Sequence, residues 1–137
     1  MTTSIEAFLA PNVTPIENAE VNFDRFKAPF IVKPLSQAEA ETIRKANMKR
    51  EKNKLGGTTA QLNQNGYVDG LILAAVVQPD LNNADLQKSY GTPGKPLDTL
   101  RAMLLAGEYA ELGNQVQKVS GFDEEEDVDE VAEDVKN

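Results

Sequence analysis

The chain has 137 residues, 40% of them apolar and only 6% aromatic, with a formal net charge of −8, no cysteine and no histidine. That length fits one domain with a modest core. The missing cysteines exclude disulfides and thiolate metal sites, and the missing histidines remove the commonest general base and metal ligand near neutral pH. The charge is unevenly placed. Residues 1–54 hold seven acids against nine bases (+2), residues 55–122 six against four (−2), and residues 123–137 nine acids against Lys136 alone (−8). A near-neutral part therefore carries one acidic appendage. The longest apolar run, Leu71 to Val77, falls far short of the roughly 20 residues of a membrane span. Met1 to Glu6 has neither region of a signal peptide, so a cytoplasmic protein is expected.

In chain order, Thr3-Ser4-Ile5-Glu6 reads as a capping box, with the Thr3 hydroxyl accepting from an early helical N–H and Glu6 reaching back. The short helix it opens, through Phe8 and Leu9, should stop at Pro11-Asn12. From Glu17 to Asp24, Ala19, Val21 and Phe23 alternate with polar residues at the period of a half-buried strand. Phe30-Ile31-Val32, between Pro29 and Pro34, is a second strand, and the two predict a β-hairpin over about 17–34 with the prolines favouring edge positions. Ser36-Gln37-Ala38-Glu39 is another capping box, opening a helix over about 36–50 whose last turns carry Arg44, Lys45, Lys49 and Arg50, as the macrodipole favours. Lys52 to Gly57 reads as a mobile linker. Leu62, Tyr67, Leu71, Ile72, Ala75 and Val76 share one stripe of a helix over about 59–78, ended by Pro79, with Gly66 and Gly70 marking a kink or a close helix approach. A short helix over about 83–90 stops at Gly91, and another over about 96–106 has Pro96 at its first position. After an interruption at Gly107, a last helix over about 108–120 lines up Tyr109, Leu112, Val116 and Val119, with Phe122 placed to fold back onto them. The expected fold class is α+β, mostly helical: a short N-terminal β-hairpin with a bundle of short helices over residues 1–122, then a disordered acidic C-terminal tail over 123–137.

No constellation of catalytic residues emerges. Asp80 and Asp85 flank a helix start, where carboxylates act as caps. Gly56-Gly57-Thr58-Thr59 lacks the Gly-Lys-Ser/Thr ending of a P-loop and reads as a hinge with an N-cap. Asp123-Glu124-Glu125-Glu126-Asp127 has neither the spacing nor the turn glycine of an EF-hand loop. The basic residues near Lys49 have no interleaved aromatic group and read as a solvated face, not a nucleic-acid site. No catalytic, metal or cofactor site is expected, and no enzyme.

One set of motifs goes further. Val77-Gln78-Pro79-Asp80-Leu81, Leu86-Gln87-Lys88-Ser89-Tyr90-Gly91, Met103-Leu104-Leu105-Ala106-Gly107-Glu108-Tyr109 and Ser120-Gly121-Phe122, in that order and spacing, resemble the XkdN-like family of phage tail assembly chaperones. Glu6-Ala7-Phe8-Leu9 and Asp24-Arg25-Phe26 extend the likeness over most of residues 5–122, while Gly113 departs from it by weakening the last helix. The resemblance implies a protein that binds the tape measure protein and the major tail tube protein in the host cytoplasm until the tube polymerises, and that is absent from the finished virion. It also implies, in many phages, a longer product made by ribosomal frameshifting near the end of the gene. Val135-Lys136-Asn137 can be encoded with the slippery heptamer A-AAA-AAC, which fits such a site.

Candidate partner-binding residues are Tyr90, Gly107, Glu108 and Tyr109, together with Val128, Val131 and Val135. The bland reading of the first group is a helix–helix turn at Gly107, a cap at Glu108 and a core contact at Tyr109. The valines, with Ala132, stand at i, i+3, i+4 and i+7, one narrow seam of a helix that would fold against a partner. Neither nucleic acid nor membrane is an expected partner, and a homo-oligomer stays open. Two other classes compete: an acidic phage-encoded inhibitor mimicking nucleic acid, which needs its acids fixed on a folded surface, and a minor tail or connector structural protein, which would be found in virions.

Overall fold

A computed structural model describes residues 4–122. Thr3, the acidic run 123–137 and the seam of Val128, Val131 and Val135 lie outside the described residues. Along the chain, two 3₁₀ turns (Ile5–Phe8 and Ala10–Asn12) precede β1 (Ala19–Val21), β2 (Phe30–Val32), α1 (Gln37–Ala46), β3 (Met48–Lys52), β4 (Thr58–Leu62), α2 (Gln64–Ala75), β5 (Val76–Gln78), α3 (Ala84–Ser89), α4 (Pro96–Met103) and α5 (Ala106–Val119). The order is α+β and mostly helical, with two small sheets where one hairpin was expected.

The first hairpin forms as its alternation dictates. Ala19 pairs with Val32 and Val21 with Phe30, antiparallel, so that Val21, Phe30 and Val32 point into the core. Phe23, Phe26 and Phe30 meet edge-on with ring centroids 5.2–6.5 Å apart and close the turn side of this hairpin. The prolines did not make β2 an edge. Strand β5 pairs along its other side, giving the order β1-β2-β5 with β2 central. Pro29 and Pro34 stand just outside the three paired residues, so no ladder donor is lost.

Helix α1 begins at the predicted capping box: Ser36 Oγ accepts from Glu39 N at 3.1 Å, and Glu39 Oε1 accepts from Ser36 N at 3.1 Å. It ends at Ala46, not Arg50. Met48–Lys52 turns back as β3 against β4, with Met48 opposite Leu62 and Lys52 opposite Thr58. The segment expected to be a mobile linker is the turn of this ribbon. Asn53 Oδ1 accepts from Leu55 N (3.0 Å) and Gly57 N (2.9 Å), and Gly56 takes a positive φ of 85° that a side chain would oppose. Lys49, Arg50 and Lys52 therefore sit on an exposed strand, and the Gly-Gly-Thr-Thr run is turn and strand, with no N-cap in it. The cap of α2 is Asn63, whose Oδ1 accepts from Gly66 N at 3.1 Å. The first 3₁₀ turn is likewise capped by Ser4, whose Oγ accepts from Glu6 N at 3.2 Å.

Glycines set how closely the helices approach. A Cβ on Gly70 of α2 would stand 2.6 Å from Ile43 Cγ2 of α1, and one on Gly113 of α5 would stand 3.2 Å from Ile72 Cδ1 of α2. Gly70 thus marks close packing, and Gly113 leaves α5 unbroken from Ala106 to Val119. Gly107 does not interrupt: it lies in the first turn of α5 without a positive φ. Asn83, not the flanking acids, caps α3 by accepting from Leu86 N at 3.0 Å, while Asp80 Oδ1 accepts from Asn82 N in the turn before it. The core joins the inner face of the sheet (Val21, Phe30, Val32) to Ile72 and Ala75 of α2, Leu100 and Met103 of α4, and Leu112 and Val116 of α5.

Candidate functional site

Three features of the surface bear on function. The first is a polar clamp at the start of α5. Tyr109 donates its hydroxyl to Asp69 Oδ1 at 2.6 Å, and Arg101 of α4 forms an ion pair with the other oxygen of the same carboxylate. Asp69 is only 8% exposed, so these two donors satisfy a charge that water barely reaches. Burial first, and then the Asp69 carboxylate, push the Tyr109 phenol well above its ordinary pKa near 10. The residue before it, Glu108, forms an ion pair with Arg25, whose Nε donates to Glu108 Oε2 at 3.2 Å and whose Nη2 donates to Met103 O at 3.0 Å. Glu108 Oε1 also accepts from Leu105 N at 2.8 Å. The Arg25 hydrogen bond and then the Leu105 N–H hold the Glu108 carboxyl below the usual carboxylate range. The guanidinium, held fully charged chiefly by Glu108, also lies 5.1 Å over the Phe26 ring.

A second feature is an apolar groove between the helices. Its main hollow, about 400 Å³, runs between the start of α1 (Leu35, Ala40), the outer face of α2 (Tyr67, Val68, Leu71) and the end of α5 (Val116). A neighbouring hollow of about 190 Å³ shares Val68, Leu71 and Val116 and continues to Tyr109 and Gly113. Polar side chains alternate with the apolar ones along the rim (Ser36, Gln37, Gln64, Gln117 and Ser120), and Leu35 N donates to Ser120 Oγ at 3.0 Å, tying down the lip beside Phe122. Phe122 does not fold back into the core; it is mostly exposed and lines the mouth of the groove.

The third feature is the N-terminal arm. Residues 4–18 are all exposed, and they carry Ile5 (73% exposed), Phe8 (66%), Leu9, Val13 and Ile16 (66%). The arm is nonetheless ordered by itself, through the Ser4 cap and a bond from Asn12 Nδ2 to Glu6 O at 2.8 Å.

Among the described residues no three carboxylates gather where a metal ion could be held, and no helix is long and apolar enough to cross a membrane. What decides the family is the match of its sequence model, the phage XkdN-like tail assembly chaperone protein, to residues 5–136. The chain belongs to this family. Its match runs beyond residue 122 through the acidic segment, further than the motifs alone suggested. The chain is 27% identical over 109 residues to the phage-like element PBSX protein XkdN of Bacillus subtilis strain 168, covering 80% of this chain and 72% of that one. It is 25% identical over 119 residues to YqbN of the same strain, covering 86% and 80%. The crystal structure of YqbN superposes with a TM-score of 0.72 at 21% identity, over 90% of this chain and all of that one, a likeness of fold. The family is one of tail assembly chaperones.

Against this frame the predicted residues separate. Glu108 and Tyr109 are neighbours in sequence, yet each is spent on an internal partner. Tyr109 also lines the smaller hollow. Gly107 is exposed with nothing within 4 Å of a Cβ built on it. Tyr90, at the end of α3, is 38% exposed and lies close enough to Arg25 to add to its field. Asp69, Arg101 and Arg25 were missed as a set. They lie 83 and 32 positions from the residues they bind or from each other, so no spacing could reveal them. Only Asp69 gave a signal, as a carboxylate inside an otherwise apolar helical stripe.

Proposed function

We propose that this chain holds the tape measure protein and the major tail tube protein during tail assembly, by seating apolar segments of these clients in the groove along α2 and α5. The observation that carries the reading is that groove. It is an open hollow of about 400 Å³ whose apolar side chains (Leu35, Val68, Leu71, Val116 and Phe122) are bordered by Ser and Gln residues, on a chain of a tail assembly chaperone family. Helix-in-groove docking needs an apolar channel with a few polar groups at its rim, which these helices supply. The valine seam of Val128, Val131 and Val135 adds a second client contact, and Tyr90 and Gly107 offer exposed surface beside α5. The protein acts in the host cytoplasm and leaves before the virion is complete, and a longer frameshift product carries the same domain.

Co-expression of the tagged chain with tape measure protein, then affinity capture, tests this. Val68 is 37% exposed and lines both hollows, so Val68→Glu changes the groove without entering the core. Capture by the wild type, and its loss in Val68→Glu with unfolding temperature unchanged, is the expected result. Capture at the wild-type level by Val68→Glu would move the client off the groove.

A further inference from the structure

The end of α5 delivers the chain to the mouth of the groove. Phe122 lines that mouth, and residues 123–137 follow it directly. Tethering through so short a link gives the following segment a high effective concentration at the groove. Its sequence has the matching pattern. On the α2 wall, Gln64, Tyr67, Val68 and Leu71 stand at i, i+3, i+4 and i+7. Val128, Val131, Ala132 and Val135 repeat that spacing, so as a helix they would present one apolar seam as long as that wall, about 10 Å. Residues 123–127, all acids, allow an extended reach of up to about 17 Å before the first valine. Charge favours the same placement. Among the described residues that line the groove, none is an acid. Gln64, on its α2 wall, comes just after β4 of the ribbon. Across residues 44–54, which run from the end of α1 into that ribbon, Arg44, Lys45, Lys49, Arg50, Lys52 and Lys54 are all exposed and stand against Glu51 alone. The segment beyond Phe122 brings nine acids against Lys136.

We propose that residues 123–137 of this same chain cover the groove in the client-free protein, as a helix whose Val128, Val131 and Val135 lie on Val68 and Leu71 and whose acids face the basic ribbon. The apolar seam supplies the seat, and the opposite charges steer the segment toward it. The inference rests on the proposed function and adds its regulation. A client that takes the groove displaces the acidic segment and frees the valine seam for its own contact, so the apolar surface is protected until a client arrives.

The full chain without client carries the test. It contains no cysteine, so Val68→Cys/Val131→Cys and Val68→Cys/Glu130→Cys proteins each hold a single pair of thiols. In the proposed helix Glu130 stands on the side away from the seam. Under mild oxidation of dilute protein, the Val131 pair should close within single chains about tenfold faster than the Glu130 pair, because only the seam holds its thiol at the groove. Equal rates overturn the proposal, and so do disulfides that join two chains in preference, which would put a second copy in the groove. If a cysteine variant misfolds, amide NMR of Val128→Asp/Val131→Asp/Val135→Asp decides, since these substitutions leave every core side chain in place. The Val68, Leu71 and Val116 signals should move from their wild-type positions; unchanged signals overturn the proposal. Failure here is separable from failure of the proposed function. Equal closure rates, with capture still lost in Val68→Glu, would keep the client in the groove and remove the acidic segment from it. Faster closure at Val131, with capture intact in Val68→Glu, would keep the segment and remove the client.

Discussion

Replacing Tyr109 by Phe removes one hydroxyl and keeps the ring that packs between α2 and α5. The hydroxyl donates to a carboxylate that is 8% exposed, at 2.6 Å. Hydrogen bonds to charged groups contribute about 1.5–3 kcal/mol. The phenol is half-buried and Arg101 remains on the other oxygen of Asp69, so the loss should be about 1–2 kcal/mol. For a chain of this size that corresponds to a fall in unfolding temperature of about 3–8 °C. Asp69→Ala strips both donors of their acceptor and should cost more, about 3 kcal/mol. Urea and thermal unfolding measure both. The pH dependence adds a second reading. Because the folded state raises the phenol's pKa, it favours the protonated form, so this stabilisation is complete below about pH 10 and is lost as pH climbs toward the higher folded value. The wild type should therefore lose stability more steeply in alkali than Tyr109→Phe. A Tyr109→Phe protein within about 0.5 kcal/mol of wild type, the range of an ordinary surface substitution, would refute the reasoning. Loss of stability together with loss of client capture would assign Tyr109 to the fold and not to a client contact.

Two glycine substitutions should act in opposite directions: Gly70→Ala drives a methyl to 2.6 Å from Ile43 and should destabilise by about 1–3 kcal/mol, whereas Gly107→Ala, in open space within a helical turn, should stabilise by up to about 1 kcal/mol, both read by urea unfolding. Arg25→Ala should lower the unfolding temperature at neutral pH. Its partner Glu108 has a lowered folded-state pKa, so that stabilisation is present above the ordinary carboxylate range and lost as pH falls through the folded value; the wild-type and variant curves should converge below about pH 4. A gap that persists in strong acid would assign Arg25 a packing role over Phe26.

How much was legible follows from how local each signal is. The box Ser36-Gln37-Ala38-Glu39, the strand alternation of Ala19 and Val21, and the stripe of Leu112 and Val116 involve neighbours within a few residues and formed, although the strand is shorter than its alternation suggested and Phe23 is buried just beyond it. The β3–β4 ribbon was misread because Met-Lys-Arg-Glu-Lys has no apolar alternation. The ribbon is solvated on both faces and rests on backbone pairing and the Asn53–Gly57 turn. Strand β5 was absorbed into the preceding helix because Val76 continues its apolar stripe, and only the open side of β2 made a strand the better use of Val76–Gln78.

The sequence by itself determined the class of protein. Without cysteine or histidine it lacks thiolate and imidazole groups, and its ordered motifs marked the tail assembly chaperone family. Local chemistry also set most helix starts, because a cap and its N–H donors lie within one turn. The tertiary structure alone decided which surfaces remain free. It tied Glu108 and Tyr109 to Arg25 and Asp69, groups brought near them only by folding, and so gave both residues an internal partner that no spacing in the sequence reveals. It opened the groove between α1, α2 and α5 and left the arm of Ile5, Phe8 and Leu9 uncovered. An apolar side chain looks the same in sequence whether it is buried or waiting for a partner; burial is a property of what packs against it, and that is settled only when distant segments meet.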